Sequence, residues 1–503
     1  MRPTRFASSN KPSWVNWAYA LLFLGVTTAV SLPAQNITTL HSFAGYPTDG
    51  AAPTGLAQAT NGDLYGTTYR GGANGAGTVF KITPDGALTT LYSFCTQSGC
   101  TDGSYPYAGL VQATNGDLYG TTSQGGANSG GTVFKITPDG ALTTIYSFCT
   151  QSGCTDGRYP YAGLVQATNG DLYGTTINGG ANSDGTVFKI TPSGTLTTLF
   201  SFCAQRGCTD GSYPSAGLVQ ASNGDLYGTT TNGGANSGGT VFKITPTGTL
   251  TTLYSFCPQV SCTDGSNPYA GLVQASNGDL YGTTYFGGAN TTACHGSGCG
   301  TVFKITPIGT LTTLYSFCSQ SSCTDGSYPF AGLVQGSNGD LYGTTSLGGA
   351  GIGCDNLGCG TVFKITPGGA LTTLYSFCTQ SGCTDGYDLG AGLVQDTNGN
   401  LYGATSKGGR ASNDGTVFSL SVGLGAFVET QATSGAVGSA IKILGTSLTG
   451  ATSIAFNGAA ATFTVVSSSL ITTTVPAGAS TGFVTVTTPS GTLISNKQFR
   501  VTP

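Results

Sequence analysis

The sequence is poor in charge: only 8% of its 503 residues are Asp, Glu, Lys or Arg. It has one methionine, two tryptophans, two histidines and a single glutamate, Glu429. The 17 basic residues are scattered, and no stripe of them could follow a phosphate backbone. Nucleic-acid binding is therefore excluded as a function class. No GxSxG, HExxH or phosphate-binding loop occurs. Apolar residues do not recur at helical spacing, so helices are not expected.

The N-terminus reads as a secretory signal over residues 1–34. Arg2, Arg5 and Lys11 precede an apolar run at residues 17–32, and Ala34 is a suitable cleavage position. The alternative is an uncleaved anchor, but the run is shorter than a usual membrane span. No second hydrophobic span follows, so the mature chain is expected to start near Gln35 without a transmembrane segment.

What the chain has in abundance is glycine, 82 residues of it, set among short runs of strand formers. The segment NGDLYGTT starts at Asn61, Asn115, Asn169, Asn223, Asn277 and Asn338, and returns as NGNLYGAT at Asn398. The repeat length is 54 residues for the first four intervals, then 61 and 60, lengthened by insertions carrying CHGSGC and CDNLGC. Each unit reads as four strands, such as AGLVQAT, DLYGTT, TVFKIT and LTTIYSF from Ala108 onward. The fourth-strand motif also stands alone at residues 37–43, and the last unit ends after its third strand at residue 421. One strand, six full sets and three more strands make seven blades of four, if the N-terminal strand completes the last blade. An open solenoid would instead need distinct caps. The tight NG and PDG turns then share one face, and the long cysteine and GGAN loops share the other.

The 16 cysteines form eight CxxxxC pairs: Cys95–Cys100, Cys149–Cys154, Cys203–Cys208, Cys257–Cys262, Cys318–Cys323 and Cys378–Cys383 between units, with Cys294–Cys299 and Cys354–Cys359 in the insertions. In an exported chain this reads as local disulfides. Zinc would require two pairs to converge, and equivalent loops of adjacent blades are expected to lie well apart. No cofactor or metal is expected.

The TDG aspartates Asp102, Asp156, Asp210, Asp264, Asp325 and Asp385 have two readings. They cap backbone N–H groups in tight loops, or they ring the channel mouth and bind a ligand. The tyrosine and phenylalanine series of the second and third strands reads as core between blades. Tyr105, Tyr107, Tyr159, Tyr161, Tyr269 and Phe330 follow TDG in the loops. Their rings could stack on a sugar, pack on a partner, or cover the blade ends. No catalytic residue is assigned. Asp184, Asp355, Asp388, Asp396 and Asp414 break the repeat, but look like ordinary loop substitutions.

From residue 424 to 503 the repeat gives way to Ser, Thr, Ala and Val, with short strands spaced as in a β-sandwich. This segment reads as a spacer or stability module, or as a module that binds a ligand or partner.

The units built on AGLVQATNGDLYGTT, GGAN, GTVFKITPDG and LTTLYSF resemble the GloVer tandem-repeat family of exported bacterial proteins, over residues 37–421. The C-terminal segment, with IKILG, SIAFNG and GFVTVTTPSG, resembles an IPT/TIG immunoglobulin-like domain. The resemblance implies a bacterial extracellular or envelope protein and carries no activity over. The expected fold is all-β, a seven-bladed β-propeller followed by an immunoglobulin-like β-sandwich. The expected function is that of a secreted or cell-surface, monomeric, non-enzymatic binding or adhesion protein. Its long-loop face would take an extracellular glycan or envelope protein. The alternatives are a structural envelope component and a polysaccharide-active enzyme.

Overall fold

The computed structural model describes residues 36–502, apart from 259–260, 352–353, 355–356, 380 and 411. The signal reading of residues 1–34 and the unusual acid Asp355 lie outside the described residues. Among the described residues no helix is long and apolar enough to cross a membrane.

The repeat region forms seven four-stranded antiparallel sheets. Sheet two is typical, with strands Val111–Gln112, Leu118–Thr122, Thr132–Ile136 and Leu142–Ser147. Each unit makes one sheet because its turns match its strands: the NG turn joins the first two, and the turn after TVFKIT joins the last two. Sheet seven draws on both ends of the region. Its outer strand is Asn36–Ser42, paired with Thr416–Ser421 from Asn36↔Ser421 to Ser42↔Thr416. The expected N-terminal complement to the last unit is therefore present as a paired strand.

Adjacent sheets are joined by apolar packing that repeats in register. Phe94 of sheet one meets Phe134 of sheet two with ring centroids 5.2 Å apart, and Phe148 meets Phe188 in the same way. The series continues to Phe377–Phe418, and Phe43, on the segment that completes sheet seven, meets Phe80 of sheet one at 5.3 Å. The second-strand tyrosines, such as Tyr119 and Tyr227, are fully buried, as are the third-strand phenylalanines. Asn115 Nδ2 donates to the Tyr119 hydroxyl at 3.0 Å, so the NG turn satisfies a buried phenol.

A second series is polar. The glutamine of each inner strand reaches the neighbouring turn: Thr60 N donates to Gln112 Oε1 at 2.8 Å, and Ser222 N to Gln274 Oε1 at 2.8 Å. The last member is Thr397 N to Gln58 Oε1 at 3.1 Å, from sheet seven to sheet one.

In sheets two to seven the inner strands are shorter than the motif suggests, whereas sheet one pairs over Ala51–Gln58. AGLVQAT reads as a strand over 108–114, but only Val111–Gln112 pairs. The inner segments converge glycine against glycine: a Cβ on Gly163 would lie 3.2 Å from the Gly109 carbonyl oxygen, and one on Gly271 only 3.0 Å from that of Gly217.

The C-terminal domain packs two sheets. One contains Glu429–Thr430, Ala440–Leu444, Leu470–Thr474 and Phe463–Val465. The other contains Ser434–Ala436, Gly491–Thr502, Gly482–Thr488, Ser453–Phe456 and Ala459–Ala461. Val428, Ile443, Phe456, Val484 and Phe499 fill the space between them.

This domain sits on the NG turns. Ser469 Oγ donates to Thr60 O at 3.1 Å, Gln431 Nε2 to Ala113 O at 3.0 Å, and Lys442 Nζ to Thr114 O at 3.1 Å. Arg500 donates to Ser222 O, and Phe427 N to Thr397 O at 3.0 Å. These carbonyls belong to sheets one, two, four and seven, so the domain spans the turn face rather than hanging from one edge.

Asp396 lies beside this contact, where units two to five have alanine. It is 1% exposed. Burial pushes its pKa up to about 6, against hydrogen bonds from Asn398 N, Gln58 and Thr397 that lower it. A carboxyl whose folded pKa is raised stabilises the fold below its unfolded pKa, and that contribution is lost as pH rises through about 6. Relative to wild type, Asp396→Ala should therefore gain about 2–3 kcal/mol of stability between about pH 4 and about pH 8. Urea unfolding of the two proteins across this range is the check. A stability gap independent of pH would disprove the assignment.

Candidate functional site

The inter-unit cysteine loops are built the same way six times. Both cysteines of each pair adopt positive φ, as in Cys95 at 63° and Cys100 at 52°. That conformation is unfavourable for a residue with a Cβ, and it is held here by bonds on both sides. One is the disulfide, present in all eight CxxxxC pairs. The other is the TDG carboxylate. Asp102 Oδ2 accepts from Tyr92 Oη at 2.8 Å, Thr96 N at 2.9 Å and Thr96 Oγ1 at 2.9 Å.

The other five aspartates repeat this role. Asp156 and Asp325 accept from Tyr146 and Tyr315 at 2.8 Å, and Asp264 and Asp385 from Tyr254 and Tyr375 at 2.9 Å. Asp210 accepts from Ala204 N at 2.9 Å. All are buried except half-buried Asp264. The reading of Asp102, Asp156, Asp210, Asp264, Asp325 and Asp385 as a ligand-binding ring is corrected here. Their carboxylates point into their own loops, where amides such as Thr96 N, Thr150 N, Ala204 N and Cys378 N donate to them. The first unit has no disulfide, yet keeps the same contact: His41 Nε2 lies 2.6 Å from Asp49 Oδ2, in the place of the repeat tyrosine.

Burial pushes Tyr146 and Tyr315 up to about 12; the adjacent carboxylates add to this and the Thr150 and Ser319 hydroxyls oppose it. A raised phenol pKa adds stability that is complete below about pH 10 and lost as pH climbs through about 12. Stability should thus fall steeply over that window. Phenolate absorbance should show these tyrosines ionising together with unfolding, and Tyr146→Phe should remove part of the pH slope.

The loop aromatics behave differently. They collect at the loop end of the inner strands in two arcs. The first arc spans sheets one to three: Tyr69 lies 5.3 Å from Tyr105 and 5.4 Å from Tyr107, and Tyr107 is 4.9 Å from Tyr161. The second spans sheets five and six. Tyr269 stacks on Phe330 at 5.4 Å, and Tyr285 touches Tyr269, Phe286, Tyr328 and Phe330. Tyr159 lies beside the first arc under the Arg158 guanidinium, 4.2 Å from its ring centre.

Burial raises the pKa of Tyr107, and the charges of Tyr161, Tyr69, Asp388 and Tyr269 raise it further, so groups of both arcs lie within its field. Burial, Tyr328, Tyr269 and Asp388 do the same for Tyr285. Asp388, on sheet seven, thus acts on a ring of each arc, and Lys407 Nζ lies 3.1 Å from its carboxylate. That carboxylate raises the Lys407 pKa. Sheet four carries Ser215 and Thr231 where Tyr107 and Tyr69 stand in sheets two and one, but keeps Tyr213 at the position of Tyr105. The rings remain reachable: Tyr107 is 37% exposed and its neighbours are half-buried.

Sequence reasoning named six of these rings, read Asp388 as an ordinary loop substitution, and missed Tyr69, Tyr285, Phe286, Tyr328 and Lys407. A signal was present. Tyr69 and Tyr285 occupy the position after LYGTT, where other units have Ser123, Ile177, Thr231, Ser346 and Ser406. Asp388 occupies the left-handed position of Tyr105, Tyr159 and Tyr328.

The cysteine pairs also bring a correction. The expectation that no two pairs meet fails in units five and six. There the insertion reaches the cysteine loop that follows it, and the Sγ atoms of Cys294, Cys299 and Cys318 lie within 4.8 Å of one another. Cys354, Cys359 and Cys378 do likewise.

A profile of the Gloeobacter/Verrucomicrobia repeat matches residues 24–220, 150–353, 204–418 and 258–462 in overlapping copies, and an IPT/TIG domain profile matches residues 428–501. No curated protein matches the chain. Among solved structures, a streptogramin B lyase is similar at 16% identity and a TM-score of 0.50, over 77% of this chain and 97% of its own. A virginiamycin B lyase from Staphylococcus aureus has 15% identity and a TM-score of 0.49, over 77% and 98%. A fungal alcohol oxidase of the AA5 family has 12% identity and a TM-score of 0.52, over 93% and 99%. At such identities the likeness is one of fold alone. The repeat profile, in contrast, covers most of the chain, and the protein belongs to the Gloeobacter/Verrucomicrobia repeat family with a C-terminal IPT/TIG domain.

Proposed function

We propose that the seven sheets are the blades of a closed β-propeller in an exported bacterial protein, and that the loop-side mouth of this propeller binds a glycan without transforming it. The contacts from sheet seven to sheet one, Phe43–Phe80 and Thr397–Gln58, support the closure. The two aromatic arcs carry the binding reading. Sugar rings present flat C–H faces to aromatic rings and hydroxyls to polar groups, and the arcs with Asp388 and Lys407 offer both. The IPT/TIG domain covers the turn side, which leaves ligand entry to the loop side.

A second reading, a polysaccharide-active enzyme, rests on the Asp388–Lys407 pair set among tyrosines. The pair argues for orientation more than for chemistry. Lys407 is held in its charged form by Asp388 and makes a poor base. Asp388 is joined by a cation rather than by the second carboxylate that glycoside hydrolysis uses.

The test is an array of neutral, acidic and amino polysaccharides probed with the mature protein. Retention of at least one class, with the polymer recovered intact, is expected. Depolymerisation without retention would establish the enzyme, and no interaction with any class would end the glycan reading.

A further inference from the structure

The insertions of units five and six place one disulfide against another. Cys294 is bonded to Cys299, and Cys318 to Cys323. Across the two bonds, Cys294 Sγ lies 3.8 Å from Cys318 Sγ. That approaches the about 3–3.5 Å of a near-attack arrangement. Unit six repeats the grouping with Cys354, Cys359 and Cys378, so the juxtaposition goes with the insertion rather than with one accident of packing. The first four units have no insertion and no second cysteine pair.

Access differs between the sulfurs. Cys294 and Cys299 are 3% and 0% exposed, while Cys318 and Cys323 are half-buried. A cavity of about 250 Å³ opens between the two loops, lined by Cys294, His295, Cys323, Tyr328 and Leu347. A small thiol entering it meets Cys323. Both Cys318 and Cys323 sit at positive φ, 58° and 52°, so opening their bond frees two unfavourable conformations.

We propose that this cavity is a thiol–disulfide exchange site, with a small external thiol as substrate and the insertion disulfide as internal acceptor. In the first step the external thiolate attacks Cys323 Sγ. A bond forms between them, the Cys318–Cys323 bond breaks, and Cys318 leaves as thiolate. In the second step Cys318 attacks Cys294 Sγ. The Cys294–Cys318 bond forms, the Cys294–Cys299 bond breaks, and Cys299 leaves as thiolate. The proton of the incoming thiol ends on Cys299, whose Sγ is 3.3 Å from the Asn290 carbonyl oxygen and can donate to it. Two protein disulfides and one thiol become one protein disulfide, one mixed disulfide and one protein thiol, with no net oxidation. The product ties the insertion to the inter-unit loop and leaves an adduct beside Tyr328, a member of the second aromatic arc. This inference stands independently of glycan binding.

The test uses the folded wild-type protein and reduced glutathione, followed by an alkylating quench and peptide mapping. A crossed Cys294–Cys318 peptide, glutathione on Cys323 and alkylated Cys299 are expected. The pair Cys95–Cys100 serves as an internal control, yielding only a mixed disulfide and an alkylated partner. Cys318→Ser paired with Cys323→Ser should slow alkylation of Cys299 about tenfold or more, because the neighbouring thiol acts at high effective concentration. The proposal is overturned if no crossed peptide forms from the folded protein, or if Cys299 is alkylated equally fast in the variant.

Discussion

Replacing Tyr107 and Tyr269 together by alanine should weaken glycan binding about a hundredfold or more, while thermal unfolding stays close to wild type. The two rings belong to different arcs, so the double change removes a contact from each. Buried aromatic anchors in a binding site are commonly worth about 2 kcal/mol each on truncation, and about 1.4 kcal/mol is a tenfold change in affinity. The fold should tolerate the change because Tyr107 is exposed and Tyr269 half-buried, and neither belongs to a core cluster between sheets. Tyr46→Ala is the matched control, since Tyr46 is 68% exposed and makes no ring contact with either arc. Affinity measured by titration against the glycan retained on the array separates the outcomes. Equal loss in Tyr46→Ala, or no loss in the double variant, would show that the arcs are not the binding surface.

Gly228→Val should destabilise the protein by about 3 kcal/mol, the upper end of what overpacking a core costs. The residue is the glycine of LYGTT in sheet four and has ordinary extended backbone, so conformational strain is not the cause. A Cβ there would lie 2.6 Å from Phe242 Cζ and 2.7 Å from Leu218 Cδ2. Phe242 is fully buried and locked between sheets by Phe202 at 5.2 Å, so its ring cannot swing aside. Urea unfolding gives the magnitude. Adding Phe242→Leu should recover part of the loss, as expected when two residues compete for one space. If the second change instead adds its own full cost, the clash is not the mechanism.

The same glycine shows how far a sequence can be read. Its recurrence in every unit marks it as part of a repeated strand, but nothing local says that a phenylalanine from the next strand occupies the place of its side chain. The strand order, the pairing of the N-terminal strand with the last unit and the local disulfides were all legible, because each depends on residues adjacent in sequence or on a count of repeats. The length of the inner strands was not. Sheet one pairs over Ala51–Gln58 and sheet two only over Val111–Gln112, although both units carry the same spacing of glycine, leucine and glutamine.

The site divides in the same way. Tyr105, Tyr107, Tyr159, Tyr161, Tyr269 and Phe330 could be picked out as loop aromatics after TDG. The TDG aspartates looked equally promising beside them. The loop backbone decided between these groups: it turns the carboxylates inward onto its own amides and the tyrosine of the preceding strand, and leaves the rings outside.

By itself the sequence determined an all-β chain of seven four-strand units, its local disulfide pairs and the segment that follows them. These are set by short-range periodicity and turn chemistry, which act within about ten residues. Only the tertiary structure decided which rings meet across the loop face, that Asp388 and Lys407 join them, that the insertion disulfides touch their neighbours, and that the IPT/TIG domain rests on the NG turns. Those contacts link residues tens to hundreds of positions apart, and they exist only once adjacent sheets have packed and brought equivalent loops to one end.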